Sequence, residues 1–265
     1  MNFRGIAATL KTAGYSPRKA EAKIAHDIVL KAIDDAGFHD LVTIKGGVVM
    51  SGITDAIRRA TIDMDFDFLG YSLSDTSIKR FVNRLNRVAQ CDIRLDGGIQ
   101  ELKQREYKGK RIGLVLTDEG GYSIKTKIDI GVHSNKSVEQ VDFQFKIITD
   151  NGNVVLLVNP KEQIFAEKLK SLLRLGIVST RYKDVYDLFY LCREVDIAVL
   201  KELLRIYIFD DENMFESTSR DIETRLISIL SNKVFRKRME NPDYAWLDEP
   251  VDSIVSTLLK FVQKL

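Results

Sequence analysis

The stretch RRATIDMDFDFLG, residues 58–70, sets three aspartates at alternate positions among isoleucine, methionine and phenylalanine. A period of two is the mark of a strand. A strand is therefore expected over 62–69, with Ile62, Met64, Phe66 and Phe68 on one face and Asp63, Asp65 and Asp67 on the other. Three like charges on one face admit three readings: the wetted side of a half-buried strand, a calcium loop, or a metal-holding edge. The calcium loop fails on spacing, because counting from Asp63 puts Phe68 where glycine is needed and Ser74 where a bidentate glutamate is needed. The other two stay open. Same-face neighbours on a strand stand roughly 7 Å apart, close enough for Asp63 and Asp65 to grip divalent cations between them. Hard carboxylate oxygens suit Mg²⁺, whose shell substrate phosphates commonly complete.

Working outward, LVTIK (41–45) reads as a short buried strand, the following GG as a turn, and VVMSGITDAIRR as a helix interrupted by Gly52. Upstream, SPRKAEAKIAHDIVLKAIDDAG begins with a Ser16–Pro17 cap and stops at Gly37, an amphipathic helix. Downstream, 74–90 is again helical. From about 93 to 158 alternating runs are separated by the turn chemistry of DEGG and TDNGN. One of these runs, YSIKTKIDIGV, places Lys125, Lys127 and Asp129 on one face against Ile124, Ile128, Ile130 and Val132 on the other. If it pairs beside 62–69, Asp129 adds a third carboxylate, as metal ligand or as base for an attacking hydroxyl. A strand-edge aspartate among lysines is the plainer alternative. After Pro160 the pattern is helical to the end, including a stretch at 215–239 and a last helix near 251–264, so a boundary is expected near 159.

Composition bounds the rest. The 265 residues are 45% hydrophobic and 29% charged, with 40 basic against 38 acidic side chains and a net charge of +2, which argues neither for nor against nucleic acid. The two cysteines, Cys91 and Cys192, lie far apart without metal-ligand spacing, and the three histidines form no triad. No uniformly apolar run reaches the roughly 20 residues of a membrane span, so a cytoplasmic protein is expected. The segment KQREYKGKR (103–111) interleaves Tyr107 with basic residues, either an RNA-backbone contact or a solvated hairpin.

KGG (45–47) followed by R-A-T-I-D-M-D-F (59–66) resembles the KGG, R-x-[ST]-x-D-x-D-F signature of the AbiEii/AbiGii nucleotidyltransferase toxins, of the DNA polymerase β-like superfamily. NPKEQIFAEKLKSLL and RYKDVYDLFYL are similar to that family's E-x-x-x-A-E-K-L and R-x-K-D-x-x-D-L segments. The resemblance implies an α+β fold: a nucleotidyltransferase lobe over 1–158, with a mixed β-sheet flanked by helices, and an all-helical lobe over 159–265. It further implies an enzyme of class EC 2.7.7 in phage defence, with an NTP cosubstrate, Mg²⁺ or Mn²⁺, an acceptor such as tRNA, and an AbiEi-type antitoxin as partner. By matching position, Asp63 and Asp65 would hold metal; Asp129, from the strand reading above, would be their third partner. Lys45, Gly46, Gly47, Arg59 and Thr61 would bind the nucleotide. Lys168 and Asp184 would be the helical lobe's active-site residues. Where such enzymes often carry a hydroxyl after the glycines this chain has Val48, leaving Thr61 or backbone N–H groups to meet the triphosphate. A nucleotide-binding protein without turnover and a phosphotransferase are the alternatives on the same fold.

Helix geometry supplies an independent expectation. At 3.6 residues per turn, Lys168 falls inside the apolar arc of Ile164, Phe165, Leu169 and Leu172. It either snorkels to water or reaches a phosphate. The same construction puts Asp184 at the border of its helix's apolar arc and Asp187 further out, which favours Asp184 over Asp187.

Overall fold

The computed structural model describes residues 1–102, 109–133, 137–150 and 152–265. It divides into two compact units, Met1–Asn159 and Pro160–Leu265.

The first unit runs α1 (Phe3–Thr12), α2 (Pro17–Asp35), β1 (Val42–Lys45), α3 (Gly46–Thr54), β2 (Met64–Phe68), α4 (Asp75–Val88), β3 (Asp92–Leu95), β4 (Gln100–Glu101), β5 (Lys110–Thr117), β6 (Ser123–Val132), β7 (Val141–Ile147) and β8 (Gly152–Val158). The strands form one mixed sheet in the order β3-β5-β6-β2-β1-β8-β7, with β4 on β5. The β2–β6 and β1–β8 pairs are parallel, and the β5–β6 and β7–β8 neighbours are antiparallel hairpins. The helix over α2 starts where its sequence says. Ser16 Oγ accepts from the Lys19 N–H at 3.4 Å, Pro17 opens the first turn, and Gly37 follows with φ +69°. Phe66 and Phe68, both fully buried, meet Phe81 of α4 at ring-centroid distances of 5.6 and 5.3 Å, and Phe38 packs on the same ring. This aromatic cluster fixes which face of β2 points inward, so the aspartates take the other.

Two boundaries differ from expectation. The strand starts at Met64, not 62, because the preceding carbonyls are engaged by side chains: His26 Nε2 lies 3.2 Å from the Ile62 carbonyl, and the Thr61 hydroxyl donates to that of Asp63. Helix α3 ends at Thr54 rather than running to Arg59. Asp55 takes a left-handed conformation (φ +47°) and a 3₁₀ turn over Ile57–Arg59 follows.

The second unit contains α5 (Lys161–Leu175), α6 (Tyr182–Leu191), α7 (Ile197–Leu204) continued by a π turn over Arg205–Phe209, α8 (Ser219–Leu230), α9 (Lys233–Met239) and α10 (Val251–Val262). The expected continuous stretch at 215–239 is two helices, because Asn232 caps α9 through the Phe235 N–H at 3.0 Å and breaks the chain after α8. Buried side chains from every helix, among them Leu169, Leu188, Leu203, Ile229, Phe235 and Leu258, make its core. Among the described residues no helix is long and apolar enough to cross a membrane.

Candidate active site

Register builds the site. Lys45 pairs with Asp65 across β1–β2, Asp65 with Asp129 across β2–β6, and Asp129 with Arg111 across β6–β5. Directly opposed residues project from the same face at a strand spacing of about 4.8 Å. One row therefore reads Lys45, Asp65, Asp129, Arg111: two carboxylates bracketed by two cations. Asp63 lies just ahead of β2, exposed, and lines with Asp129 and Arg111 a cavity of about 380 Å³ whose wall also carries Asp96, Lys125 and Lys127.

The glycine pair is explained by what lies against it. A Cβ on Gly46 would stand 2.7 Å from Asp65 Oδ2, and one on Gly47 would stand 2.7 Å from Thr61 Oγ1. Gly46 also adopts φ +66°, which favours glycine. Both positions are thus clefts into which the acidic loop folds, and they open α3. Lys45, the N-cap residue, makes no side-chain cap bond, and the first N–H groups of this helix lie beside Asp65 at an end that favours anions. Val48 is buried, consistent with the absence of a hydroxyl role there.

Asp67, placed by periodicity on the polar face with Asp63 and Asp65, is 5% exposed, with its Oδ1 2.7 Å from Lys45 Nζ. Opposite it in β6 is Gly131, where a Cβ would collide with Asp67 Oδ1 at 2.2 Å. Asp67 therefore positions Lys45, and a glycine makes room for it. Arg59 is also buried, at 3% exposure, in the turn leading to Thr61.

Arg111 is the residue that pattern reading missed. Its Nε and Nη2 donate to the two oxygens of Asp129 at 2.6 and 2.7 Å, a bidentate pair. Its guanidinium is held above its usual pKa, chiefly by that hydrogen bond and further by the fields of Asp129, Asp63 and Asp65. It sits at the end of the basic segment 103–111, whose residues 103–108 lie outside the described residues. The two basic side chains described there are paired, Lys110 with Asp75 and Glu101, and Arg111 with Asp129. The available signal was charge complementarity between a basic position on one strand of a hairpin and Asp129 on the other.

In the helical unit, Lys168 Nζ lies 2.5 Å from Asp184 Oδ1 and 2.8 Å from Asp187 Oδ2. Lys168 thus meets both carboxylates, and Asp187, expected further out than Asp184, is the more deeply buried of the two. Asp187 is fully buried and accepts from Trp246 Nε1 at 3.0 Å, whereas Asp184 is 7% exposed and has Arg181 Nη1 at 3.6 Å. A wheel of α6 alone places Asp187 outward; the chain around Trp246 covers that side.

Asp63, Asp65 and Asp129 have the hard-oxygen chemistry of a Mg²⁺ site. Among the described residues, however, no three Asp, Glu, His or Cys side chains converge as a ready metal cage. The donors fit a cation whose shell is completed by substrate, and Asp63 and Asp65 would be the residues to hold it.

A mixed sheet flanked by helices, a glycine-pair helix start against an aspartate-bearing strand, and a following helical unit make an α+β protein whose acidic sheet face adjoins an anion-favouring helix start. Residues 28–253 match the family described as nucleotidyl transferase AbiEii toxin, Type IV TA system, and the chain belongs to that family. A solved structure, an antigenic nucleotidyltransferase-like protein from Paracoccidioides brasiliensis, is similar at 14% identity, covering 83% of this chain and 91% of that one with a TM-score of 0.48. No curated protein sequence matches.

Proposed function

We propose that this toxin-family nucleotidyltransferase is a metal-dependent enzyme of the cytoplasm. It transfers a nucleotidyl group from an NTP to a hydroxyl of an RNA acceptor, tRNA first among them, and an AbiEi-type antitoxin opposes it. The observation that carries this reading is the row Lys45, Asp65, Asp129 beside the glycine-pair start of α3. Such an arrangement offers cation, carboxylates and backbone donors to one triphosphate.

The N–H groups at Gly46 and Gly47 receive phosphate oxygens, with Lys45, steadied by Asp67, as the adjoining positive charge. Thr61, lying against Gly47, supplies the hydroxyl that Val48 lacks. Arg59, buried in the turn before Thr61, adds positive charge to the nucleotide side. Asp63 and Asp65 would hold Mg²⁺ or Mn²⁺, which supplies charge neutralisation on the triphosphate. Asp129 takes the proton of the acceptor hydroxyl as its oxygen bonds to the α-phosphorus. The bond to the bridging oxygen breaks and pyrophosphate leaves. Most of the acceleration comes from in-line positioning and fixed charges. Within the helical unit, Lys168 and Asp184 are the proposed catalytic residues, and Asp184 and Asp187 together orient the Lys168 ammonium.

Purified protein incubated with each α-labelled NTP, Mg²⁺ and total RNA tests this directly. The wild type is expected to label a discrete RNA and release pyrophosphate, and Asp65→Ala is expected to do neither. Equal labelling by both proteins would refute the assignment. Diphosphate release would point to a phosphotransferase, and Mg²⁺-dependent NTP binding without transfer to a binding role.

A further inference from the structure

We propose that Arg111 is the resident counter-cation of the carboxylate cluster, and that Asp129 becomes available for chemistry only when a nucleoside triphosphate draws Arg111 away. The inference rests on the reading of the site as a nucleotidyltransferase centre and adds an order of events to it: nucleotide first, full carboxylate cluster second.

The geometry points this way at three places. Asp65 and Asp129 are register partners in adjacent strands, so their side chains leave the sheet side by side. Both oxygens of Asp129 are nevertheless engaged by Arg111, which comes from β5, the strand on the side away from Asp65. The aspartates accordingly do not converge on a common point, despite a backbone placed for it. Arg111 is also the group that all three carboxylates act on, and it is half exposed, on the wall of the cavity shared with Asp63 and Asp129. A guanidinium there meets carboxylate and phosphate with the same planar fork. A triphosphate bound along the row Lys45, Asp65, Asp129, Arg111, with its higher charge, competes for the fork and releases Asp129.

The test is calorimetric titration with Mn²⁺ alone, without nucleotide, on the full chain. Removing the guanidinium leaves the carboxylates without their counter-charge. Arg111→Ala is therefore expected to bind Mn²⁺ about threefold to tenfold more tightly than wild type, the scale of a part-exposed bidentate pair. Arg111→Gln, which keeps an amide donor but no charge, is expected to move the same way and serves if the alanine variant does not fold. A non-hydrolysable NTP analogue should raise Mn²⁺ affinity in the wild type by more than in either variant. Unchanged or weaker Mn²⁺ binding in a folded variant, or equal coupling to the analogue, would overturn the proposal. Because these titrations need no acceptor and no turnover, their failure is separable from a failure of nucleotidyl transfer by the wild type.

Discussion

Asp65 and Asp129 are direct partners across the parallel β2–β6 pairing, yet Asp129 gives both oxygens to Arg111 on its other side while Asp65 lies against Gly46. The two aspartates are consequently unequal. Asp65 is shaped by backbone at the start of α3, and Asp129 by a side chain that can move. Asp65→Asn should lower transfer by roughly a thousandfold, the loss of several kcal/mol of charge stabilisation. Its melting temperature should equal or exceed that of wild type, since a like charge has left an acidic face. Retained growth inhibition in this variant would contradict the assignment.

Gly46→Ala should be costly to activity out of proportion to stability. The new Cβ stands 2.7 Å from Asp65 Oδ2, so the carboxylate must move, and φ +66° adds backbone strain of roughly 1–2 kcal/mol. A displacement of that kind is expected to reduce kcat about a hundredfold. Steady-state kinetics on a variant whose melting curve is still cooperative decides it.

In the helical unit, Asp187→Ala should destabilise more than Asp184→Ala. Asp187 is fully buried between Lys168 and Trp246 Nε1; removing it leaves the buried indole N–H without its acceptor and takes one of two carboxylates from the Lys168 ammonium, with an expected loss of roughly 3 kcal/mol. Urea unfolding followed by the fluorescence of Trp246, the chain's single tryptophan, reads both the stability and the local environment. A smaller loss for Asp187→Ala than for Asp184→Ala would show the order to be wrong.

His26 predicts a pH dependence. Burial lowers its pKa from 6.5 to about 4, against the smaller raising effect of its hydrogen bond to the Ile62 carbonyl. The unfolded chain then binds the proton more readily than the folded one. The stability is intact above pH 6.5 and falls as pH drops toward 4, by about 3 kcal/mol across the window. Burial raises the pKa of Asp27, which acts in the opposite direction as pH falls, so the quantity to measure is the difference between wild type and His26→Gln. That difference should shrink from pH 7 to pH 4; a constant difference would show that His26 is not buried as a neutral ring.

Much of the fold is local and was therefore legible. The period of two across 62–69, the Ser16–Pro17 helix start, the glycine stops and the KGG and D-x-D spacing each follow from the conformational preferences of a few neighbouring residues, and they led to the AbiEii family. The strand and helix limits that shifted, at Met64, Thr54 and Ser231, moved where a side chain elsewhere or a local cap engaged the backbone. Charged partners were the least legible. Arg111 meets Asp129 across 18 residues only because β5 and β6 pair in that register, and a one-residue slip of either strand would leave the two side chains on opposite faces. Asp67 is buried because Gly131 leaves it space from another strand, and Asp187 because Trp246 arrives from 59 residues away. Periodicity assigns a side chain to a face. Which charge it meets there depends on strand register and packing between distant segments, and those exist only in the folded chain.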